Sequence, residues 1–178
     1  MYHIGMKSIE QLLALINDTN SLTLTTDDVS FGAPVALTEA EQAEMENPAN
    51  TKVEMIAKPN RMPIGRVTVD YDRIDLAEFE TLGDPSQIEL TRPLTYTRLL
   101  NAFNSYYGAA LELSDINTDT PLPEEPDTDE VLELKASTTS LAYRGDIVLG
   151  VKVKDVPLNT VIKVTNLTGL KYAKPARV

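Results

Sequence analysis

A stretch near the start of the chain returns in its middle with little change. Leu12-Leu13-Ala14-Leu15-Ile16-Asn17, followed by Leu24 and Asp28-Val29, comes back as Leu99-Leu100-Asn101-Ala102-Phe103-Asn104, Leu111 and Asp115-Ile116. The step is a constant 87 positions, from Leu12 to Leu99, and Pro34-Val35 falls on Pro121-Leu122 at the same step. Strand-like runs follow in each copy, at 53–57 and 131–136, then at 65–76 and 145–153. The pattern predicts one building block used twice. Duplicated blocks more often make surfaces and assemblies than active sites.

At 178 residues the chain suits one ordinary domain, or two small lobes sharing a core. A hydrophobic share of 42% is enough to fold, but three Phe, seven Tyr and no Trp make that core mostly aliphatic. The formal net charge of −11 repels phosphate backbones and anionic lipid, so no direct nucleic-acid partner and no membrane partner is expected. No apolar stretch approaches the ~20 residues that cross a bilayer. The opening Met1-Tyr2-His3-Ile4-Gly5-Met6-Lys7 lacks the apolar core of a signal peptide. Without cysteine there are no disulfides, thiolate nucleophiles or cysteine-based zinc sites. The expectation is a protein made in cytoplasm and kept or assembled there.

Helical periodicity appears twice. Ile9, Leu12, Leu13 and Ile16 form an apolar stripe over residues 8–17, with Ser8 and Gln11 as a capping box and Asn20 as the stop. In the second copy Tyr96, Leu99, Leu100, Phe103 and Tyr107 form the stripe, Thr95 the N-cap and Gly108 the C-terminal break. A short strand is expected after each helix, at 22–25 and 110–113. Residues 65–72 alternate, with Val67, Val69 and Tyr71 inward against Thr68, Asp70 and Asp72 outward, and pair as a hairpin with 51–58. The second copy offers a matching pair at 131–137 and 146–154. A last pair is expected at 160–165 and 170–172, turning at 166–169. Two polar insertions occupy matching places. Residues 38–50 hold a short helix capped by Thr38 and Glu41, and 117–130 form an acidic, solvated loop.

The chemistry-bearing residues are few. His3 is the single histidine, too little for a histidine metal cluster and poorly placed for a Ser-His-Asp arrangement. Asp115-Ile116-Asn117-Thr118-Asp119 opens like a calcium loop, but Thr120 replaces the needed Gly and Pro126 the bidentate Glu. Asp70, Asp72 and Asp75 could gather a hard cation, although such a trio is more often the wet face of a strand. Arg144-Gly145-Asp146 spells an integrin tripeptide and equally a turn into a strand. Asn17-Asp18-Thr19 and Asn166-Leu167-Thr168 are sequons that carry no weight without a secretory signal. No glycine-rich phosphate cradle is present. Paired glycosidase acids would need an aromatic-lined cleft that the composition does not advertise. No catalytic residue, cofactor or metal site is assigned.

Charge is segregated along the chain. The final stretch holds Lys163, Lys171, Lys174 and Arg177 and no acid, whereas Glu124, Glu125 and Asp127 lie in the acidic loop. These seven are the candidate partner contacts, since an acidic body with a basic end can dock head to tail. A solvated terminal strand is the plain alternative.

The run Ser8-Ile9-Glu10-Gln11-Leu12-Leu13-Ala14-Leu15-Ile16-Asn17, then Leu22-Thr23-Leu24-Thr25-Thr26-Asp27-Asp28-Val29-Ser30-Phe31-Gly32-Ala33-Pro34, resembles the opening of a poorly characterised family of virion structural proteins of large tailed bacteriophages. The likeness continues through Asn50-Thr51-Lys52-Val53, Arg66-Val67-Thr68-Val69-Asp70-Tyr71-Asp72-Arg73-Ile74-Asp75-Leu76 and Thr139-Ser140-Leu141-Ala142-Tyr143. It covers most of the chain as short phrases rather than one diagnostic motif; residues 86–91 and the basic tail are not part of it. The resemblance implies a virion component made in the host cytoplasm, present in many copies and touching capsid, neck or tail subunits or copies of itself. The family supplies no catalytic residues.

The expected fold is α+β, mainly antiparallel and sandwich-like, built from two pseudo-repeated halves with one short helix each. Residues 1–90 form the first repeat, 91–155 the second, and 156–178 a C-terminal β segment with a basic tail, all in one compact unit. Leu12, Leu13, Val67, Val69, Leu99 and Leu100 are expected in the core. The expected function is a non-enzymatic decoration or accessory subunit of capsid, neck or tail. Two alternatives stand beside it: a carbohydrate- or receptor-binding β module with an exposed aromatic platform near Tyr106 and Tyr107, and a metal enzyme built on Asp70, Asp72 and Asp75.

Overall fold

A computed structural model describes residues 5–46, 48–124 and 127–156. The strands expected at 160–165 and 170–172 therefore lie outside the described residues. The first helix, α1 (Ser8–Asn20), buries Leu12, Leu13 and Ile16 along the predicted stripe. Its start differs from expectation. Lys7 is the N-cap residue, its N–H donating to the Glu10 carboxylate at 3.3 Å, while Ser8 and Gln11 are buried and turn across the molecule. Ser21, left-handed at φ 54°, ends the helix by donating its N–H to the Asn17 carbonyl.

The first sheet holds β1 (Val29–Phe31), β2 (Val35–Ala36), β3 (Thr51–Ala57) and β4 (Arg66–Tyr71). The β3–β4 hairpin is antiparallel, from Thr51↔Tyr71 to Ile56↔Arg66, as the alternation predicts. β1 and β2 also pair antiparallel with β3. Among the described residues β4 pairs with no other strand, so its outer edge is open. In the acidic insertion α2 (Glu39–Ala43) carries the predicted reciprocal cap. The Glu41 N–H donates to Thr38 Oγ1 at 3.3 Å, and the Thr38 N–H to Glu41 Oε2 at 2.9 Å.

A short parallel pair, β5 (Ile74–Asp75) with β8 (Tyr143–Arg144), joins the halves. Two 3₁₀ turns, Leu76–Thr81 and Pro85–Gln87, then lead to β6 (Ile88–Thr91) and α3 (Tyr96–Tyr107). Thr95 caps α3 by accepting the Arg98 N–H, and Gly108 ends it at φ 67°, both as read from the sequence. β7 (Asp129–Lys135) and β9 (Asp146–Lys154) form the second hairpin, with β9 central and β6 parallel on its far side. Ile88 and Leu90 of β6, Leu99, Leu100 and Phe103 of α3, Phe79, and Ile147, Leu149 and Val151 of β9 share one core. A fully buried Leu or Phe contributes about 1.5–3 kcal/mol to such a core.

Several hydrogen bonds recur at the sequence step. Asn17 donates through Nδ2 to the Leu24 carbonyl at 2.8 Å and accepts the Leu24 N–H at 2.9 Å. Asn104 does the same to Leu111 at 2.8 and 2.9 Å. The Thr25 N–H donates to Asp28 Oδ2, and the Glu112 N–H to Asp115 Oδ2. Val29 bridges to Ala57 and Ile116 to Ala136, each at the end of its hairpin's first strand. The Ala57 N–H donates to the Gly65 carbonyl and the Ala136 N–H to the Gly145 carbonyl, both at 2.9 Å.

These bonds also explain a correction. The strands expected at 22–25 and 110–113 do not form. The asparagine side chain takes both backbone groups of Leu24, and of Leu111, that a β ladder would need. Residues Leu113–Asp115 turn instead as 3₁₀ helix.

The fold is α+β. The pairings divide the strands into three sheets, two of them holding parallel pairs, and the core of the second sheet is completed by α3 and the turn around Phe79 rather than by a facing sheet. The expected core residues Leu12, Leu13, Leu99 and Leu100 are buried, but Val69 is half-buried and Val67 is 51% exposed. The first half has a small cluster, with Leu12, Ile16, Val53 and Tyr71 buried, that does not reach the outer length of β4.

Candidate functional site

Two features meet where the halves join: a buried polar seam, and a groove beside it. The seam begins with Asp115, only 3% exposed. Its Oδ1 accepts the Ser8 hydroxyl and, at 2.8 Å, the Ser140 hydroxyl, while Oδ2 accepts the Glu112 N–H at 3.0 Å. Ser8 is the first residue of α1, so this carboxyl lies at a helix N-terminus, where partial positive charge favours it. Ser140 Oγ in turn accepts the Tyr143 N–H at 3.2 Å. Gln11 Nε2 donates to the Tyr143 hydroxyl and to the Met6 carbonyl, each at 2.8 Å. Burial pushes the Tyr143 phenol up to about 12, with the Gln11 hydrogen bond pulling weakly the other way.

Arg73 closes the seam from the first half. Its Nη1 donates to the Ser140 and Tyr143 carbonyls at 3.3 and 3.4 Å, and its Nε to Thr51 Oγ1 at 2.9 Å. Asn50 brackets the Arg73 backbone, accepting its N–H and donating to its carbonyl. Burial holds the Arg73 guanidinium below its ordinary value. A serine, a second serine and a carboxylate here make a fixed joint, because each hydroxyl is already committed to a neighbour.

The groove lies between α1 and the outer edge of β4 and encloses about 780 Å³. Leu12, Leu15 and Ile16 line the helix side, Val69 and Tyr71 the strand side, and Asp18, Asp70 and Asp72 are also part of its lining. Leu15 is 47% exposed. The Tyr71 hydroxyl is buried and has no hydrogen-bond partner among the described residues; burial pushes its phenol up to about 12. A shallower hollow of about 520 Å³ runs past Leu100, Asn101 and Leu113.

The residues singled out in the sequence do not converge. Asp75 caps the Ala77 N–H and pairs with Arg144 at 3.5 Å, Asp72 accepts the Asn50 N–H, and Asp70 sits on the exposed edge. Among the described residues no three His, Cys, Asp or Glu side chains group as metal ligands. Arg144-Gly145-Asp146 is the turn between β8 and β9, with Gly145 at φ 71°. Tyr107 packs into the core against Phe79 and Phe103, which leaves Tyr106 alone where an aromatic platform would need both. Glu124 and Asp127 are exposed, and the Asp127 N–H donates to Glu130 at 3.1 Å. Glu125, Lys163, Lys171, Lys174 and Arg177 lie outside the described residues, as does His3. Among the described residues no helix is long and apolar enough to cross a membrane. One site on α2 was legible only in part. Lys52 of β3 hydrogen-bonds Glu41 and, with the Thr38 backbone, holds that carboxyl down to about 2.

Sequence reasoning missed Arg73, Asn50 and the Ser8–Gln11 face. The available signal was two polar residues beside the apolar stripe of α1, read as a cap when they face a partner lobe.

Fold and seam together define an α+β protein whose halves are locked by a polar joint and bordered by an open sheet edge. The chain belongs to a family of unknown function (DUF7941), whose pattern matches residues 1–177. No curated protein and no solved structure matches it.

Proposed function

We propose that the chain is a non-enzymatic structural protein of a tailed-bacteriophage virion, made in the host cytoplasm and holding its place in capsid, neck or tail through protein–protein contacts. The virion assignment rests on the short phrases quoted from the sequence. The structural observation that carries the contact role is the open β4 edge beside an apolar groove, a surface suited to taking another polypeptide. The polar seam supports the same reading, since its serines and carboxyl are committed to joining the halves.

The two halves are read as copies of one ancestral block. The matched asparagine clamps, the aspartate turns and the paired glycine ends of the hairpins support this. Leu12 and Leu99 are both buried beneath a helix that faces a hairpin. A sandwich arrangement of the paired sheets has no comparable support.

Mass spectrometry of particles purified from infected cells tests the assignment. The protein is expected at a fixed copy number per particle, high for a shell and low for a neck. Its absence from washed particles would refute the proposal.

A further inference from the structure

The two hairpins differ in one respect. β9 carries a third strand, β6, on its outer side, whereas β4, which follows its hairpin glycine in the same way, carries none among the described residues. The effect on burial is large. Ile147 and Leu149 of β9 are 1% and 0% exposed, and Ile88 and Leu90 of β6 fill the space toward α3. The corresponding space beside β4 is the groove, where Leu15 is 47% exposed and the buried Tyr71 hydroxyl has no partner. The protein thus contains its own template for what fits there: an extended segment with alternating apolar side chains, laid along the strand edge.

The chain entering α1 does not supply that segment. Gly5 packs against the Gly108 carbonyl, the Met6 carbonyl is held by Gln11, and Lys7 pairs with Glu112 at 2.8 Å. All three contacts draw the approach to α1 toward the second half. The sequence beyond β9 offers a better match. Residues 157–178 include Thr160-Val161-Ile162-Lys163-Val164-Thr165, in which Ile162 and Val164 fall on one face of an extended chain. That stretch carries four basic residues and no acid, and the groove presents Asp18, Asp70 and Asp72. Fully extended, its 22 residues reach about 75 Å, enough to leave one molecule and enter the next.

We propose that the groove between α1 and β4 is the acceptor for residues 160–165 of a second copy, added as a strand along the open edge. The second copy, rather than the same chain, is chosen because the protein is read as a many-copy particle component; the groove and its occupant do not depend on that reading. The incoming backbone would satisfy the β4 edge and offer the Tyr71 hydroxyl a partner, while Ile162 and Val164 would cover Leu15 and Val69.

The absence of cysteine makes the test clean. Full-length Leu15→Cys and Ile162→Cys proteins are purified separately, mixed under mild oxidant and resolved without reductant. Docking raises the local thiol concentration, so a mixed disulfide dimer is expected about tenfold above a control pair using the exposed Leu82→Cys. The doubly substituted chain should then give a ladder of linked copies. A mixed dimer no more abundant than the control, or a double variant that closes only within single chains, overturns the proposal. Because the experiment uses isolated protein, its failure is separate from absence of the chain in particles.

Discussion

Replacing Asp115 with alanine isolates the joint between the halves. The substitution removes the acceptor for the Ser8 hydroxyl, the Ser140 hydroxyl and the Glu112 N–H, in a place where Asp115 is 3% and Ser140 2% exposed. Each hydrogen bond is worth about 1–1.5 kcal/mol net, and a buried donor left unmatched adds to that. Partial rescue is available to Ser140, which keeps its bond from the Tyr143 N–H. The expected loss is about 4 kcal/mol. Asp28 is the natural control, because it makes the same turn in the first half, accepting the Thr25 N–H at 2.9 Å, but at the surface. Its replacement by alanine should cost about 1 kcal/mol, the range of a solvated cap. Equilibrium urea unfolding reads both. With a slope near ~2 kcal/mol per molar, Asp115→Ala should lower the midpoint by about 2 M and Asp28→Ala by about 0.5 M. If the two variants unfold together, the seam is not a principal source of stability, and the reasoning from buried acceptors fails.

Gly145→Ala should cost about 2–3 kcal/mol by thermal unfolding, since a left-handed φ of 71° is strained for alanine and its methyl group would collide with the Asp75 carboxylate. Gly65→Ala, at φ 96° with open space around it, should cost about 1 kcal/mol; equal losses would contradict the steric argument. Asn104→Ala should destabilise by about 2–3 kcal/mol and Asn17→Ala by about 1, because Leu111 is buried where Leu24 is half-exposed. Alkaline unfolding should also be steep. Tyr71 and Tyr143 are held up to about 12, so above pH ~10 the unfolded chain ionises first. Stability should be flat below pH ~10 and fall by about 5 kcal/mol on approaching pH 12, with two phenols appearing at 295 nm only as the chain unfolds. A gradual titration of all seven tyrosines in the folded state would refute it.

The elements with strong local signals were readable in advance. Thr95 and Gly108 bound α3 because a hydroxyl and a glycine satisfy the end groups of any helix, whatever surrounds them. The two hairpins followed from alternation and from the glycine at each turn. Ser8 and Gln11 misled because a capping pair and a polar contact across a joint look alike in sequence; only the location of Asp115 and Tyr143 separates them. Val67 misled for a related reason. Alternation gives the face of a strand, but not whether anything lies over that face. Arg73 was illegible, since its partners Thr51, Ser140 and Tyr143 are distant in sequence and meet only after both halves fold.

The unequal cores have a kinetic corollary. Twenty buried side chains anchor the second half, against four beneath α1 and β4. Amide hydrogens of β3 and β4 should therefore exchange with solvent sooner than those of β7 and β9, as a separate cooperative unit. Such a soft lobe riding on a hard one can adjust its outline to a neighbour while the remainder stays put.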